Sequence, residues 1–279
     1  MAIQTQLGSR FLDALSYLPY FKGKGKLVFA AMRWLGRETP LTMRLPNGAR
    51  IILPNDRAVH IVVIYCIGKY EREFTRLFLQ FLGRLKPGDC FVDLGANVGY
   101  YTMMAAWHLR RFAGSKVFAF EPNEKAFGYL EQNKRLNNLD NLILAPQAVG
   151  DCAGQMALHL DPESSLQSSL RPYLPRLVER REVPVTTLDA FLAEHGPANV
   201  KLMKMDIEGA ELLALRGARE TIARCRPVIF YEENPRSYAA FGYRPEDVRD
   251  FLEGLGYHLR LMKPTEVQNI VAIPQPDGA

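Results

Sequence analysis

The 279-residue sequence is poor in cysteine, and its four (Cys66, Cys90, Cys152 and Cys225) stand far apart with no C-x-x-C pair. That spacing excludes a disulfide scaffold and a cysteine-based zinc site, and it suits a reducing compartment. Long apolar runs are missing as well. The longest stretch free of Asp, Glu, Lys and Arg, Leu94 to Leu109, carries two glycines, an asparagine and a histidine and falls short of a bilayer span. The first charge is Arg10, and the lysines follow the first apolar stretch. This is the reverse of a secretory signal, so the expected location is cytoplasmic. Internal repeats are absent. At 48% hydrophobic and 23% charged residues, the composition is that of a globular chain with a buried core.

The excess of positive charge is confined to one end. Residues 1–37 hold Arg10, Lys22, Lys24, Lys26, Arg33 and Arg37 against Asp13 alone, which accounts for the whole net charge of +5. A basic arm on a neutral body argues against nucleic acid as the partner, which needs a basic face on the folded domain. With Phe11, Leu15 and Leu18 on one helical face, the arm is suited either to covering the domain core or to weak, salt-sensitive contact with an anionic membrane. No sequence feature specifies an oligomeric state.

From residue 86 onward, short β-rich runs alternate with helical stretches, the pattern of an open α/β sheet. Expected strands are Cys90 to Leu94, Lys116 to Phe120, Leu142 to Val149, Val200 to Met205, Pro227 to Tyr231, Tyr257 to Met262 and Asn269 to Ile273, the last two pairing antiparallel. Expected helices are Val98 to Arg111, Glu124 to Leu136, a short one opened by Thr187 to Leu192, Ala210 to Arg224, and Pro245 to Leu255. Two further runs, Gln155 to Leu160 and Glu182 to Thr186, bracket a Ser- and Pro-rich stretch and read as an inserted hairpin. Upstream, Leu41 to Leu53 alternates around Asn47-Gly48, a β-hairpin signal, and helices are expected over 9–18 and 26–36. Residues 1–85 thus read as an N-terminal appendage of helices and a β-hairpin on a domain spanning 86–279.

Chemistry concentrates at the ends of the first two strands. Phe91-Val-Asp-Leu-Gly-Ala-Asn-Val-Gly-Tyr100 is a strand that ends in a glycine-bearing turn and opens a helix, the place where doubly wound sheets bind ligands. The second strand ends at Glu121, 26 residues after Gly95, so a carboxylate able to accept ribose hydroxyls stands beside the turn. A nicotinamide site would read G-x-G-x-x-G for its pyrophosphate. Here the turn is Gly95-Ala-Asn-Val-Gly99, and the missing middle glycine points to a cofactor without a pyrophosphate. S-adenosylmethionine, with its ribose, adenine and zwitterionic amino acid, fits that description.

Together, Asp93-Leu-Gly-Ala-Asn-Val-Gly-Tyr-Tyr-Thr102, Phe120-Glu-Pro-Asn123, Ala148-Val-Gly150, Thr187-Leu-Asp189 and Lys204-Met-Asp-Ile-Glu-Gly-Ala-Glu211 resemble the FkbM-type S-adenosylmethionine-dependent methyltransferases, as does Ile67-Gly-Lys-Tyr-Glu71. The resemblance covers roughly residues 65–235. It implies a Rossmann-like, seven-stranded class I methyltransferase fold and transfer of a methyl group to a hydroxyl of a sugar, glycan, polyketide or similar small acceptor. It further implies that Tyr70, Glu71, Asp93, Gly95, Asn97, Gly99 and Thr102 serve the donor site, with Glu121 on the ribose and Gln147 and Ala148 near the adenine. Lys204, Asp206 and Glu208 fall at the end of the fourth strand, where donor methyl and acceptor meet.

Hydroxyl methylation is an in-line displacement that needs alignment and a base for the acceptor proton. Asp206 and Glu208 are the first candidates for that base, with Glu232 and His258 behind them. Alternatively, Lys204, Glu208 and Glu211 form an ion-pair network at a helix start, or Asp206, Glu208, Glu232 and Asn234 gather a divalent metal. No metal motif is present. Asn234-Pro-Arg-Ser-Tyr238 is similar to the N-P-P-Y motif of amino-methyltransferases but follows the fifth strand rather than the fourth, so it is read as incidental. Methylation of nitrogen or of a macromolecule, and a non-catalytic donor-binding module, are the competing readings.

Overall fold

A computed structural model of the chain describes residues 26–27, 30, 41–54, 72–162, 168–196, 198–262 and 267–276. Nearly all of the basic arm and its two helices, the motif at 67–71 with Tyr70 and Glu71, and the tip of the inserted hairpin at 163–167 lie outside those residues. Among the described residues, no helix is long and apolar enough to cross a membrane.

A hairpin of β1 (Leu41–Arg44) and β2 (Arg50–Leu53) precedes helix α1 (Arg72–Leu82). Then come β3 (Asp89–Leu94), α2 (Tyr100–Leu109), β4 (Val117–Phe120), α3 (Glu124–Asn137) and β5 (Leu142–Ala145). A separate four-stranded sheet is made by β6 (Ala148–Val149), β7 (Gly154–Leu160), β8 (Ser168–Ser169) and β9 (Glu179–Thr186). The alternation resumes with α4 (Leu188–Glu194), β10 (Asn199–Met205), α5 (Glu211–Arg216), α6 (Arg219–Cys225) and β11 (Val228–Glu233). It ends with α7 (Pro235–Phe241), α8 (Pro245–Gly254), β12 (Tyr257–Leu261) and β13 (Gln268–Pro274).

The main sheet has seven strands in the order β12-β13-β11-β10-β3-β4-β5, parallel from β5 to β11 and antiparallel at β13. It is the Rossmann-like α/β sheet of the class I methyltransferase fold. All of β4 and all but the first residue of β3 are buried, because helices cover both faces of a parallel sheet and leave its central strands no solvated side. Chain order reverses between β3 and β10, so the crevice beyond their carboxyl ends is the topological switch point where such sheets take ligands.

Two expected elements differ in instructive ways, and one helix forms where none was expected. The strand expected over Leu142 to Val149 is divided: β5 ends at Ala145, and β6 joins β9 in the second sheet. Pro146, which lacks the N–H that a continuing ladder needs, stands at the division, and Gln147 follows it. The single helix expected over Ala210 to Arg224 is two. A β-carbon on Gly217 would collide with the Gly150 carbonyl oxygen, and the Asp189 carboxylate accepts the Glu220 and Thr221 N–H groups, 2.9 Å each, to start α6. Finally, α7 occupies the N-P-R-S-Y segment, with the Asn234 side chain accepting from Arg236 N–H as its N-cap at 3.1 Å.

The hairpin and α1 share one hydrophobic core with the sheet. Ile51, Leu53, Phe74 and Phe78 pack in the cluster that contains Phe91, Met103 and Phe230. The hairpin is also held by two asparagines of α3. Asn137 accepts from Arg50 N–H and donates to Arg50 C=O, at 2.7 and 2.6 Å. Asn133 does the same for Ile52, at 2.6 and 3.0 Å, and donates to Val98 C=O at 2.7 Å. Four helical residues rise about 6 Å and two strand residues about 6.6 Å, so an i,i+4 pair of amides matches the outward-facing groups of alternate strand residues. In effect α3 acts as the neighbouring strand that β2 lacks. Asn133→Leu is therefore expected to orphan buried backbone groups, cost roughly 2 kcal/mol or more, and lower Tm by about 4 °C or more. Thermal unfolding followed by circular dichroism checks this; an unchanged Tm would show the amide to be dispensable.

Candidate active site

At the carboxyl end of β3, Leu94 and Gly95 bind both neighbouring strands. Gly95 N–H and Ala96 N–H donate to Phe120 C=O at 3.0 and 2.9 Å, and Asp206 N–H donates to Leu94 C=O at 3.0 Å. Gly95 has φ +77°, and a β-carbon there would collide with the Asp206 carbonyl oxygen. Its glycine is thus demanded by the closeness of the turn to the β10 end as well as by backbone conformation. Asn97 is left-handed too, at φ +54°, and its side chain accepts from Val98 N–H at 2.8 Å.

Glu121 reaches across this turn. One carboxylate oxygen accepts Asn97 N–H and the other accepts Asn123 N–H, both at 2.8 Å. The side chain is buried, and burial, opposed by those two backbone donors, pushes its carboxyl up to about 7. Each oxygen retains acceptor capacity for one further donor. Asp93 is buried as well: Thr102 Oγ1 donates to its Oδ2 at 2.5 Å, while Oδ1 is buried with no hydrogen-bond partner among the described residues. Burial raises the Asp93 carboxyl above its ordinary value, against the lowering effects of Lys204 and the Thr102 hydroxyl. Gln147 Oε1, at the division between β5 and β6, is a second buried acceptor with no partner among the described residues.

The loop from β10 to α5 forms the opposite wall. Lys204 is buried, with Nζ 3.2 Å from Asp206 Oδ2 and 5.3 Å from the centre of the Tyr101 ring. Glu208 is left-handed at φ +52°, an uncommon conformation for a side chain of its size. Tyr173 Oη donates to its Oε2 at 2.5 Å, and Ser169 Oγ donates to its backbone carbonyl at 2.7 Å. Burial and the neighbouring Asp206 carboxylate push the Glu208 carboxyl up to about 7, while Tyr173 and Lys204 hold it down. Glu211 is fully buried and braces the same loop by accepting Ile207 N–H and Gly209 N–H, 3.0 Å each.

These walls enclose a cavity of about 210 Å³. Of the residues expected at the site, Asp93, Gly95, Asn97, Glu121, Gln147, Ala148, Lys204, Asp206, Glu208 and Glu232 line it. Gly99 and Thr102 are not among its lining residues. Gly99, at φ +95°, instead makes room for Leu130 and Met103 between α2 and α3, and Thr102 acts through Asp93. His258 is exposed on the outer strand β12, away from the β3–β10 crevice. Of the alternative Lys204–Glu208–Glu211 network, the described contacts are different ones: Lys204 pairs with Asp206, Tyr173 donates to Glu208 and the loop amides donate to Glu211. The Asn234 side chain caps α7, and among the described residues no three His, Cys, Asp or Glu side chains are grouped to hold a metal. Sequence reasoning missed Tyr100, Tyr101, Ser168 and Ser169 in the wall and Tyr173 behind it. Tyr100 and Tyr101 follow the glycine turn directly and were legible; the other three arrive through the inserted sheet, which no local signal connects to the site.

A family model described as the methyltransferase FkbM domain matches residues 93–259. The chain is similar to 31-O-demethyl-FK506 methyltransferase FkbM of Streptomyces tacrolimicus, 29% identical over 208 residues that cover 64% of this chain and 76% of the relative. It is also similar to 2-O-methyltransferase NoeI of Sinorhizobium fredii, 28% identical over 155 residues, 50% of this chain and 62% of the relative. Among solved structures, Methyltransferase FkbM from Methylobacillus flagellatus aligns at 17% identity with a TM-score of 0.47, over 77% of this chain and 53% of that one, so the chain spans about half of that protein's length. With the matched segment running from Asp93 of the glycine turn to Leu259 of β12, the chain belongs to the FkbM methyltransferase family.

Proposed function

We propose that the chain binds S-adenosylmethionine in the cavity beyond β3, β4 and β10 and methylates a hydroxyl of a small-molecule acceptor such as a sugar, glycan or polyketide. The observation that carries the reading is the set of acceptor atoms on the cavity residues: Asp93 Oδ1 and Gln147 Oε1, both buried and without a partner among the described residues, and the remaining lone pairs of Glu121. These suit an ammonium, an adenine amino group and two ribose hydroxyls respectively, since a buried acceptor is costly until a donor reaches it. The carboxylates of Asp93, Glu121, Asp206, Glu208 and Glu232 outnumber Lys204 on the lining, which favours a cationic ligand.

When bound, S-adenosylmethionine supplies an electrophilic methyl group on a sulfonium. The protein has to align the acceptor oxygen and remove its proton. The names of two relatives specify methylation at oxygen, which supports a hydroxyl as the acceptor. Of the candidate bases, Asp206 is committed to Lys204, whereas Glu208 has no cationic partner at hydrogen-bond distance among the described residues and has a carboxyl raised toward neutrality, where a general base works best. Glu208 is therefore the base, and Asp206 with Lys204 shapes the floor beneath the reacting groups.

Calorimetric titration with S-adenosylmethionine tests the donor half. Glu121→Ala removes hydrogen bonds to a charged acceptor, about 1.5 to 3 kcal/mol each, so affinity is expected to fall by at least roughly tenfold. Equal affinity in the folded variant would sink the ribose assignment. For the acceptor half, incubation with methyl-labelled donor and a panel of sugars and polyketides, followed by NMR of the product, should find the label on oxygen; label on nitrogen would overturn the reading.

A further inference from the structure

We propose that Tyr173, carried by the segment between β8 and β9, is a positioning residue for Glu208 that fixes one carboxylate oxygen and reserves the other for the acceptor; this rests on the reading of Glu208 as the base. Tyr173 is not among the cavity-lining residues, so it acts from behind. Its hydroxyl reaches Oε2 at 2.5 Å, the length of a charge-assisted O–H···O⁻ bond, while Oε1 has no partner among the described residues. From the same inserted segment, Ser169 Oγ fixes the Glu208 backbone carbonyl. Two donors from one excursion thus hold both ends of a residue whose left-handed backbone a free loop would relax. Strain of this kind persists only where the surroundings over-determine it.

The remaining charged groups around Glu208 act on its carboxyl through charge, Lys204 and Arg176 holding it down and Asp206 pushing it up, and none of them is hydrogen-bonded to it among the described residues. Asp206 and Lys204, from the end of β10, are paired with each other. Glu211 of α5 holds loop amides, and Arg176 of the inserted segment lies 3.2 Å from Asp161. Glu232 of β11 adds negative charge near the Tyr173 hydroxyl. Among the described residues, Tyr173 is the group that donates to the carboxylate itself. A donor to the ionised form lowers a carboxyl's proton affinity, so the hydroxyl, together with the Lys204 and Arg176 charges, opposes the protonated state that burial and Asp206 favour.

The test is carbon NMR of the full chain labelled at the glutamate side-chain carboxyl, with Glu208 identified by the resonance lost in Glu208→Gln. In Tyr173→Phe the Glu208 titration midpoint is expected to move up by about half a pH unit or more, with S-adenosylmethionine affinity unchanged. An unmoved midpoint, even with a lowered Tm, would overturn the proposal, since a purely structural tyrosine changes stability alone. Should Tyr173→Phe fail to fold, the Tyr173 ring carbon bearing the hydroxyl serves in the unmodified chain. Its shift should step at the Glu208 midpoint and lose that step in Glu208→Gln; absence of the step overturns the contact. Retained methyl transfer by Glu208→Gln would overturn the base reading and the catalytic purpose of the contact together. A fixed midpoint beside an inactive Glu208→Gln would overturn the positioning role alone.

Discussion

Glu208→Gln is expected to lower the single-turnover rate of methyl transfer by roughly a hundredfold or more while leaving S-adenosylmethionine affinity within about twofold. The amide keeps the size of the side chain and can still accept from Tyr173 at its carbonyl oxygen, but it cannot take a proton. For the unmodified protein the same assignment sets a pH dependence. With a carboxyl raised to about 7, the competent form is the carboxylate. The rate should therefore rise with pH through that value and level off above it, and the limb should vanish in the variant. Asp206→Asn is expected to behave differently, because it removes a carboxylate that is paired at 3.2 Å with the buried Lys204 ammonium. Loss of stability and altered donor affinity should then dominate. Single-turnover measurements at saturating donor from pH 5.5 to 8.5, with a hydroxyl acceptor found by the product screen, decide between them. A normal rate in Glu208→Gln would move the base to Asp206 or Glu232.

Gly95→Ala should have the largest effect on the fold and the donor site at once. The added methyl meets the Asp206 carbonyl oxygen, a backbone atom that cannot swing aside, and the position requires φ +77°. Either the turn or the β10 end must move, at a cost of about 3 kcal/mol or more, which corresponds to a Tm lower by roughly 6 °C or more. Any displacement carries Asn97 N–H away from Glu121, so donor binding should fall below detection by calorimetry. Gly128→Ala provides the control. This glycine lies within α3 with open space around it, and alanine there should stabilise by up to about 1 kcal/mol. Equal, small effects at both positions would show that the close approach of β3 and β10 is not a constraint.

Much of this protein was decided by the sequence alone, wherever the deciding interactions are local. The strand from Cys90, the glycine turn and the helix after it follow from an apolar run, two left-handed glycines and a helical stretch that adjoin in the chain. Glu121 follows from the next strand, which a parallel sheet sets beside the first. The Asn47-Gly48 hairpin and the antiparallel pair of β12 and β13 were legible for the same reason, since short connections leave few alternative pairings. Tertiary structure decided what depends on residues far apart. The break at Gly217 is set by Gly150 and Asp189, the grip of Asn133 and Asn137 on β2 spans more than eighty residues, and the seat of Glu208 is made by Ser169 and Tyr173 from the inserted sheet. Gly99, which looks like a ligand-facing glycine in the chain, is instead claimed by Leu130 and Met103. Local pattern fixes which groups stand at the strand ends; only packing across the sheet decides which carboxylate is tied to a lysine, which is buried and raised toward neutrality, and which is left with an oxygen to spare.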